Sequence, residues 1–504
     1  MNEIPAPVEV LEESNPILDP RSPAPSRGKT IFLNFASLTV AAAFNRLAAL
    51  GTNAVLARRV SASGFGVAGL AQSVTQYFNL LSDLGLGTVA VREGAQNPGR
   101  LQTVIASTLG LRLILAFALI PIGMVTARFL PYSEASRDLF RVYLFTLPIL
   151  AMSVEWVFRA IQKMYLNTAL QALGAVLTLG LTVALVRNSS DLIRVAWITA
   201  ISVGAMVVLG IYLLSREGYH SWPTFSLREC RYLLAQSLPL CATSFAITLY
   251  TQANILILGA MRSDAEVGLY VAATKLSAAC YSPVWFYFTA MAPALSEAWA
   301  VSIDSARSLL SNSVRVSTTI SIGGGLIAAS VSQWAMARIF GQSFGGAGAA
   351  FDLLIWTGVV VAIGHNWSEL CVAARRNRLL VQSTFMGAIV NLAVCALAVS
   401  RIGIRGAALG NLVAEVVAHA FIIASFGWHM GLSVLREAIR PVAAGAGAYG
   451  VMFVTRSSGL PLCPFATASS YLALLFMVGG ITAHDLNRLR AFIPFRRSAL
   501  DTPS

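Results

Sequence analysis

The sequence predicts an all-α, polytopic membrane protein of about fourteen transmembrane helices, in two pseudo-symmetric six-helix lobes plus two C-terminal helices. Three observations carry this. Hydrophobic residues make up 56% of the 504 and charged residues only 12%, against roughly a quarter charged in soluble domains. Apolar stretches such as Leu111–Val125 and Val195–Leu214 recur along the whole chain, and about 20 apolar residues suffice to cross roughly 30 Å of hydrocarbon. Finally, the two halves of the chain share patterns at a nearly constant offset.

Residues 1–30 hold six prolines and five acidic residues. That composition excludes a secretory signal and predicts a disordered cytoplasmic tail. Apolar windows between charged or Pro/Gly-rich breaks then give spans near 31–57, 65–90, 103–127, 139–161, 166–187 and 194–215, the first lobe (31–215). A basic linker, 216–232, follows. The second lobe (233–430) has spans near 233–260, 267–293, 309–337, 350–373, 379–400 and 405–428. Two added spans, near 438–455 and 465–483, fill 436–485, and a basic tail occupies 486–504. On this map 20 of the 36 Lys and Arg residues fall on the side of the N-terminal tail, 12 on the opposite side and four within spans. The positive-inside rule places both termini in the cytoplasm.

The halves look related. Asn53-Ala-Val-Leu leading to Phe65-Gly66 recurs, with one extra residue, as Asn254-Ile-Leu-Ile leading to Val267-Gly268. Glu155 in the fourth span aligns with Glu369 in the tenth, each followed by basic residues. Internal duplication is common in transporters, with the substrate site between the repeats.

Several chemistries find no support. Six cysteines lie singly without a C-x-x-C spacing, and five histidines are dispersed, so neither a disulfide framework nor a zinc site is expected. There is no H-E-x-x-H, and Gly323-Gly-Gly lacks the Gly-Lys-Ser/Thr of a phosphate loop. No catalytic constellation, cofactor or metal is expected, and the chain reads as a non-enzyme. The net charge of +13 is spread in ones to threes between apolar segments. Anionic membrane lipids are therefore the expected partners, and nucleic acid is not.

Residues 51–92, GTNAVLARRVSASGFGVAGLAQSVTQYFNLLSDLGLGTVAVR, resemble the opening of bacterial O-antigen and exopolysaccharide flippases, with their "ARxL…yG" turn and "DLGL". VGLYVAATKL (267–276), IFGQSFGGAGAAFDLLIW (339–356) and IGIRGAALGNLVAE (402–415) resemble later segments of that family in the right order, from about residue 31 to 430. The family lies within the superfamily that holds multidrug exporters and the peptidoglycan-precursor flippase. The resemblance implies two lobes around a central cavity and passage of an undecaprenyl-pyrophosphate-linked oligosaccharide to the outer leaflet. A polysaccharide polymerase and other assembly proteins are the implied partners. Many relatives have twelve helices, so the final pair is a departure.

A charge near the bilayer centre costs at least about 2.5–3.5 kcal/mol and so belongs in a wet cavity or beside a partner. Arg46, Lys275 and Arg112 lie deepest in their spans, as cavity cations or structural pairs; Arg315 lies nearer an interface. Given the resemblance, Arg46 and Lys275, one from each lobe, are expected to hold the pyrophosphate. Asn411, Glu415 and His419 repeat every four residues and form one polar stripe, either an interhelical contact or a proton-responsive coupling site. Asp83, Glu155, Arg159 and Glu369 lie nearer the cytoplasmic side as candidate gate residues, with Glu155–Arg159 as an i,i+4 latch. His365 is expected as a satisfied core group. Two other readings compete: a cation-coupled multidrug exporter, which calls for an acidic cavity, and a non-transport component of glycan assembly, which calls for a larger extracytoplasmic loop.

Overall fold

The computed structural model describes residues 24–219, 222–457 and 463–480, with side chains from Ala42, and every element within them is helical. The expected tails, 1–30 up to residue 23 and 486–504 entirely, lie outside the described residues. The first helix, α1 (Ala24–Asp83), starts seven residues inside the stretch expected as tail and covers both of the first two spans. Unbroken, its 60 residues would measure about 90 Å. Ser61 interrupts it with φ 64° and ψ 174°, and Asn53 and Gln72 line one cavity, so the chain doubles back there. Gly85, at φ 79°, then starts α2 (Leu86–Gln96).

The first half continues with α3 (Leu101–Phe129), and its expected fourth span is broken into α4 (Glu134–Leu144), α5 (Thr146–Ala151) and α6 (Glu155–Ala160). Next come α7 (Met164–Leu185) and α8 (Leu192–Arg216). The expected linker ends early, because α9 (Leu227–Met261) begins inside it. The eighth span is broken at Tyr281 into α10 (Asp264–Cys280) and α11 (Ser282–Val301). At that break the Tyr281 hydroxyl accepts the Gly358 N–H at 2.7 Å, and its ring fills the space a Cβ at Gly358 would need. α12 (Ile303–Ser330) and α13 (Ser332–Phe340) meet at a 70° bend. α14 (Gly348–Ala373), α15 (Asn377–Ile402) and α16 (Ile404–Ser425) complete the second half, followed by a short α17 (Ser433–Leu435), α18 (Ile439–Ser457) and α19 (Cys463–Met477).

By length and composition, eight of the described helices are able to cross a membrane, or nine if the bent α12–α13 pair is one span. The breaks at Phe145 and Met152–Val154 fall within one of these eight, Glu134–Ala160, whereas the break at Tyr281 divides the expected eighth span into shorter pieces. This is an all-helical, multi-pass membrane protein.

The halves meet in a reciprocal crossing of α1 and α10. A Cβ on Gly66 would run into the Asp264 carbonyl, and one on Gly268 into the Ala62 carbonyl. The same two positions, 202 residues apart, serve each other. Lipid tails remove most of the hydrophobic drive between helices, so close backbone approach at small residues supplies the packing instead. Around the crossing Leu56, Val60, Phe65, Tyr270, Met336 and Phe344 form one buried core, with Phe65 and Phe344 edge to face at 5.9 Å. We call this the far end, and the end holding Asp83 and Gly85 the near end.

Arginines cap helices at the far end in the same paired manner. Arg59 donates to the Thr182, Val183 and Val186 carbonyls at the end of α7. Arg262 donates to Val399 and Ser400 at the end of α15, both at 2.8 Å. Each answers the unsatisfied carbonyls and negative pole of a helix C-terminus. The final pair, α18–α19, packs on α12: Tyr471 donates to the Thr319 carbonyl at 3.0 Å, and Arg456 reaches Asp352 at 3.2 Å and Ser332 at 2.9 Å.

Candidate functional site

In the second limb of α1, Gln72, Thr75, Gln76, Asn79, Ser82 and Asp83 recur every three or four residues and so share a helix face. They line a cavity of about 450 Å³ inside the first half, with Arg112 from α3, Tyr143, Thr146 and Ser153 from the broken fourth span, and Glu155, Trp156 and Arg159 from α6. Arg112, 8% exposed, forms an ion pair with Asp83 and donates to the Ser153 carbonyl at 3.4 Å. Its guanidinium occupies the space beside Gly87.

A second cavity, about 240 Å³, adjoins the first, since Gln72 and Thr199 line both. Its walls come from both limbs of α1, from α7 and α8, and from α10 of the other half, which contributes Val271 and Lys275. Lys275 is the one charged residue among those lining it, and no carboxylate is among them. Arg46 is exposed and lines neither cavity. It stands three and seven residues before Ala49 and Asn53, on the helix face that carries both into the second cavity.

The second half holds a buried polar cluster. Asn254 donates to Asn411 at 2.7 Å, and to the Tyr270 hydroxyl and the Ala407 carbonyl at 3.2 Å. Asn411 donates to Tyr270 at 3.0 Å. One turn on, Glu415 lies 3.2 Å from His419 Nδ1, and the His419 ring packs where a Cβ at Gly364 would stand. The polar stripe on α16 thus divides into an interhelical network at Asn411 and a carboxylate–imidazole pair at Glu415 and His419.

The expected gate residues do not form one cluster. Asp83, Glu155 and Arg159 line the first-half cavity, because the broken fourth span turns α6 inward. Glu155 and Arg159 stand one turn apart on α6. Glu369 pairs instead with His365 at 3.1 Å in the second half, where Trp285 and Phe288 pack on the imidazole at 4.8 Å each. Near-end contacts between the halves come from residues the sequence did not single out. Arg100 pairs with Glu229 at 2.8 Å, Tyr232 donates to Glu93 at 3.0 Å, and Arg92 donates to Gln236 at 3.1 Å. Glu229, Tyr232 and Gln236 share one face of α9, a spacing visible in the sequence. Beside them the chain entering α9 lies on α3, where the Thr224 N–H donates to the Ala106 carbonyl at 3.0 Å. Outside the helices, Glu217 pairs with Lys163 and raises the lysine above its ordinary pKa by hydrogen bonding to it.

Residues 31–299 match the family model of polysaccharide biosynthesis proteins. The chain belongs to this family. A candidate O-antigen transporter of Escherichia coli (strain K12) is 22% identical over 248 residues, 48% of the chain and 59% of that relative's length. The match thus spans less than two thirds of that relative. Among solved structures, the lipid II flippase MurJ in an inward closed conformation superposes with a TM-score of 0.74 at 10% identity, covering 90% of this chain and all of that one. An inward-facing multidrug resistance transporter of the MATE family, in the MOP superfamily, gives 0.64 at 16% identity over 78% of this chain and 96% of that one. At these identities the likeness is one of fold. The chain is thus a member of the polysaccharide biosynthesis family that shares its helical fold with these two proteins.

Proposed function

We propose that the chain is a flippase that carries an undecaprenyl-pyrophosphate-linked oligosaccharide across the bacterial inner membrane for surface polysaccharide assembly. Its termini are then cytoplasmic and its mechanism is alternating access. One observation carries the reading. Lys275, brought by the second half, is the sole charge among the described residues lining a cavity whose walls, Val271 apart, otherwise come from the first half. A cation without a carboxylate beside it suits an anionic cargo and repels a cationic drug. Diphosphate is the anion whose passage through hydrocarbon most needs such help.

Lys275 supplies a point charge to the diphosphate from one half, and Arg46, on the cavity-facing stripe of α1, a forked donor from the other. Arg112 serves the adjoining cavity with its charge largely answered by Asp83. Asn411, Glu415 and His419 form the coupling site, with Asn411 holding α16 to α9 and the Glu415–His419 pair taking up a proton. A polymerase that consumes the flipped unit is the fitting partner. The multidrug-exporter reading draws support from the MATE-type fold, but Lys275 weighs against it.

The test is Lys275→Gln, assayed for translocation of lipid-linked oligosaccharide in proteoliposomes. Loss of about tenfold or more in rate, with normal insertion and restored function in Lys275→Arg, is expected. Unchanged translocation in Lys275→Gln would falsify the diphosphate assignment.

A further inference from the structure

We infer that the first-half cavity is a sugar subsite, which receives the neutral hexose units next to the diphosphate; this rests on the flippase reading above. The cavity's volume, about 450 Å³, lies within the roughly 300–1,000 Å³ range of small-molecule sites. Its lining is dominated by amides and hydroxyls, and its four charges, Asp83, Arg112, Glu155 and Arg159, cancel. A neutral lining suits a neutral ligand.

A second observation points to a ligand. Trp156 Nε1, Arg112 Nε and Asn79 Oδ1 are buried atoms on residues that line this cavity, and none has a hydrogen-bond partner. Trp156 is only 2% exposed and Arg112 8%. Buried polar atoms left unpaired each cost about 1–3 kcal/mol, so these atoms, which lie just behind the cavity surface, mark a wall that a polar ligand can satisfy by shifting the side chains in front of them. Two are donors and one is an acceptor. A pyranose ring offers both kinds of group around its edge.

The junction sets the order of the ligand's parts. Gln72 and Thr199 line both cavities, and Lys275 lines the smaller. A diphosphate at Lys275 leads its attached sugar past Gln72 toward Gln76 and Trp156. The first half thus reads the glycan, while the second half brings the charge.

The test uses the full chain in nanodiscs with three probes: undecaprenyl diphosphate, undecaprenyl diphosphate bearing one glucose, and methyl glucoside. The parent should bind the glycosylated lipid about tenfold more tightly than the bare one. Trp156→Phe and Gln76→Leu should each remove most of that increment while leaving bare-lipid binding within about twofold; Gln76 is exposed and lines the cavity, so its variant keeps the test readable should the buried Trp156→Phe fail to fold. Lys275→Gln should weaken both lipids alike. Equal binding of the two lipids by the parent, or equal loss for both in the two cavity variants, overturns the subsite and leaves the flippase reading standing. Methyl glucoside that binds as tightly as the glycosylated lipid also overturns it, by assigning the cavity to a free sugar. If neither lipid binds, the flippase reading falls and the subsite with it.

Discussion

Arg112 is nearly enclosed, and a single carboxylate, Asp83, answers its charge. Removing one partner of such a pair leaves the other charge stranded, which costs more than removing both. Asp83→Asn should therefore lower stability by about 1–3 kcal/mol, less than a fully buried pair would lose because the Asp83 side chain is 39% exposed. Asp83→Asn with Arg112→Gln should recover part of the loss. Thermal unfolding in detergent reads both, and a double variant less stable than the single would refute the pairing argument. The sequence marked Arg112 as a misplaced charge, because depth in a span follows from counting residues. It did not name the partner, because Asp83 lies 29 residues away on another helix and nothing local encodes that meeting. Asn79 and Gln76 were legible in principle: with Gln72 and Asp83 they make a polar stripe along an apolar span. The inward turn of Glu155 was not legible, since it depends on how α6 breaks from α5.

At the scale of elements, the α1–α10 crossing is held by backbone contact that only glycine permits. Gly66→Ala or Gly268→Ala places a methyl group against a carbonyl of the other half, and overpacking of this kind costs about 1–3 kcal/mol. Once one methyl has parted the helices, the second meets less resistance. The double variant should lose less than the sum of the singles, as read by thermal unfolding of the purified protein. Strict additivity would mean that the two sites do not share one crossing. The repeat of Phe65-Gly66 at Val267-Gly268 was visible in the sequence, and the structure supplies its reason. The break after residue 57 was also visible, from Arg58 and Arg59. That Ser61 alone would absorb it, with helix on both sides, was not, because serine carries no strong signal for a positive φ.

The molecule is closed unequally at its two ends. The far end is sealed by the reciprocal glycine crossing and a core that includes Phe65, Phe340 and Phe344. Among the described residues, three polar side-chain pairs join the halves at the near end, and the Arg100 side chain is 51% exposed. Exposed ion pairs contribute only about 0–1 kcal/mol each, so separating the halves at the near end costs far less than opening the far one. Cys241 reports on that separation. It is buried, and its backbone lies against Gly85 where α9 meets the start of α2. In a Cys280→Ala background, which removes the exposed thiol, Glu229→Arg should place two cations face to face and raise the maleimide labelling rate of Cys241 several-fold. Arg100→Glu alone should act in the same direction through repulsion of Glu229. The exchanged pair, Arg100→Glu with Glu229→Arg, should return labelling close to the parent rate, because it restores the attraction without restoring either original residue. Labelling that stayed raised in the exchanged pair would show that the contact positions α9 by shape and not by charge. Labelling that never rose would place the weak seam of the near end elsewhere, at Glu93–Tyr232 or along the stretch before α9 that lies on α3.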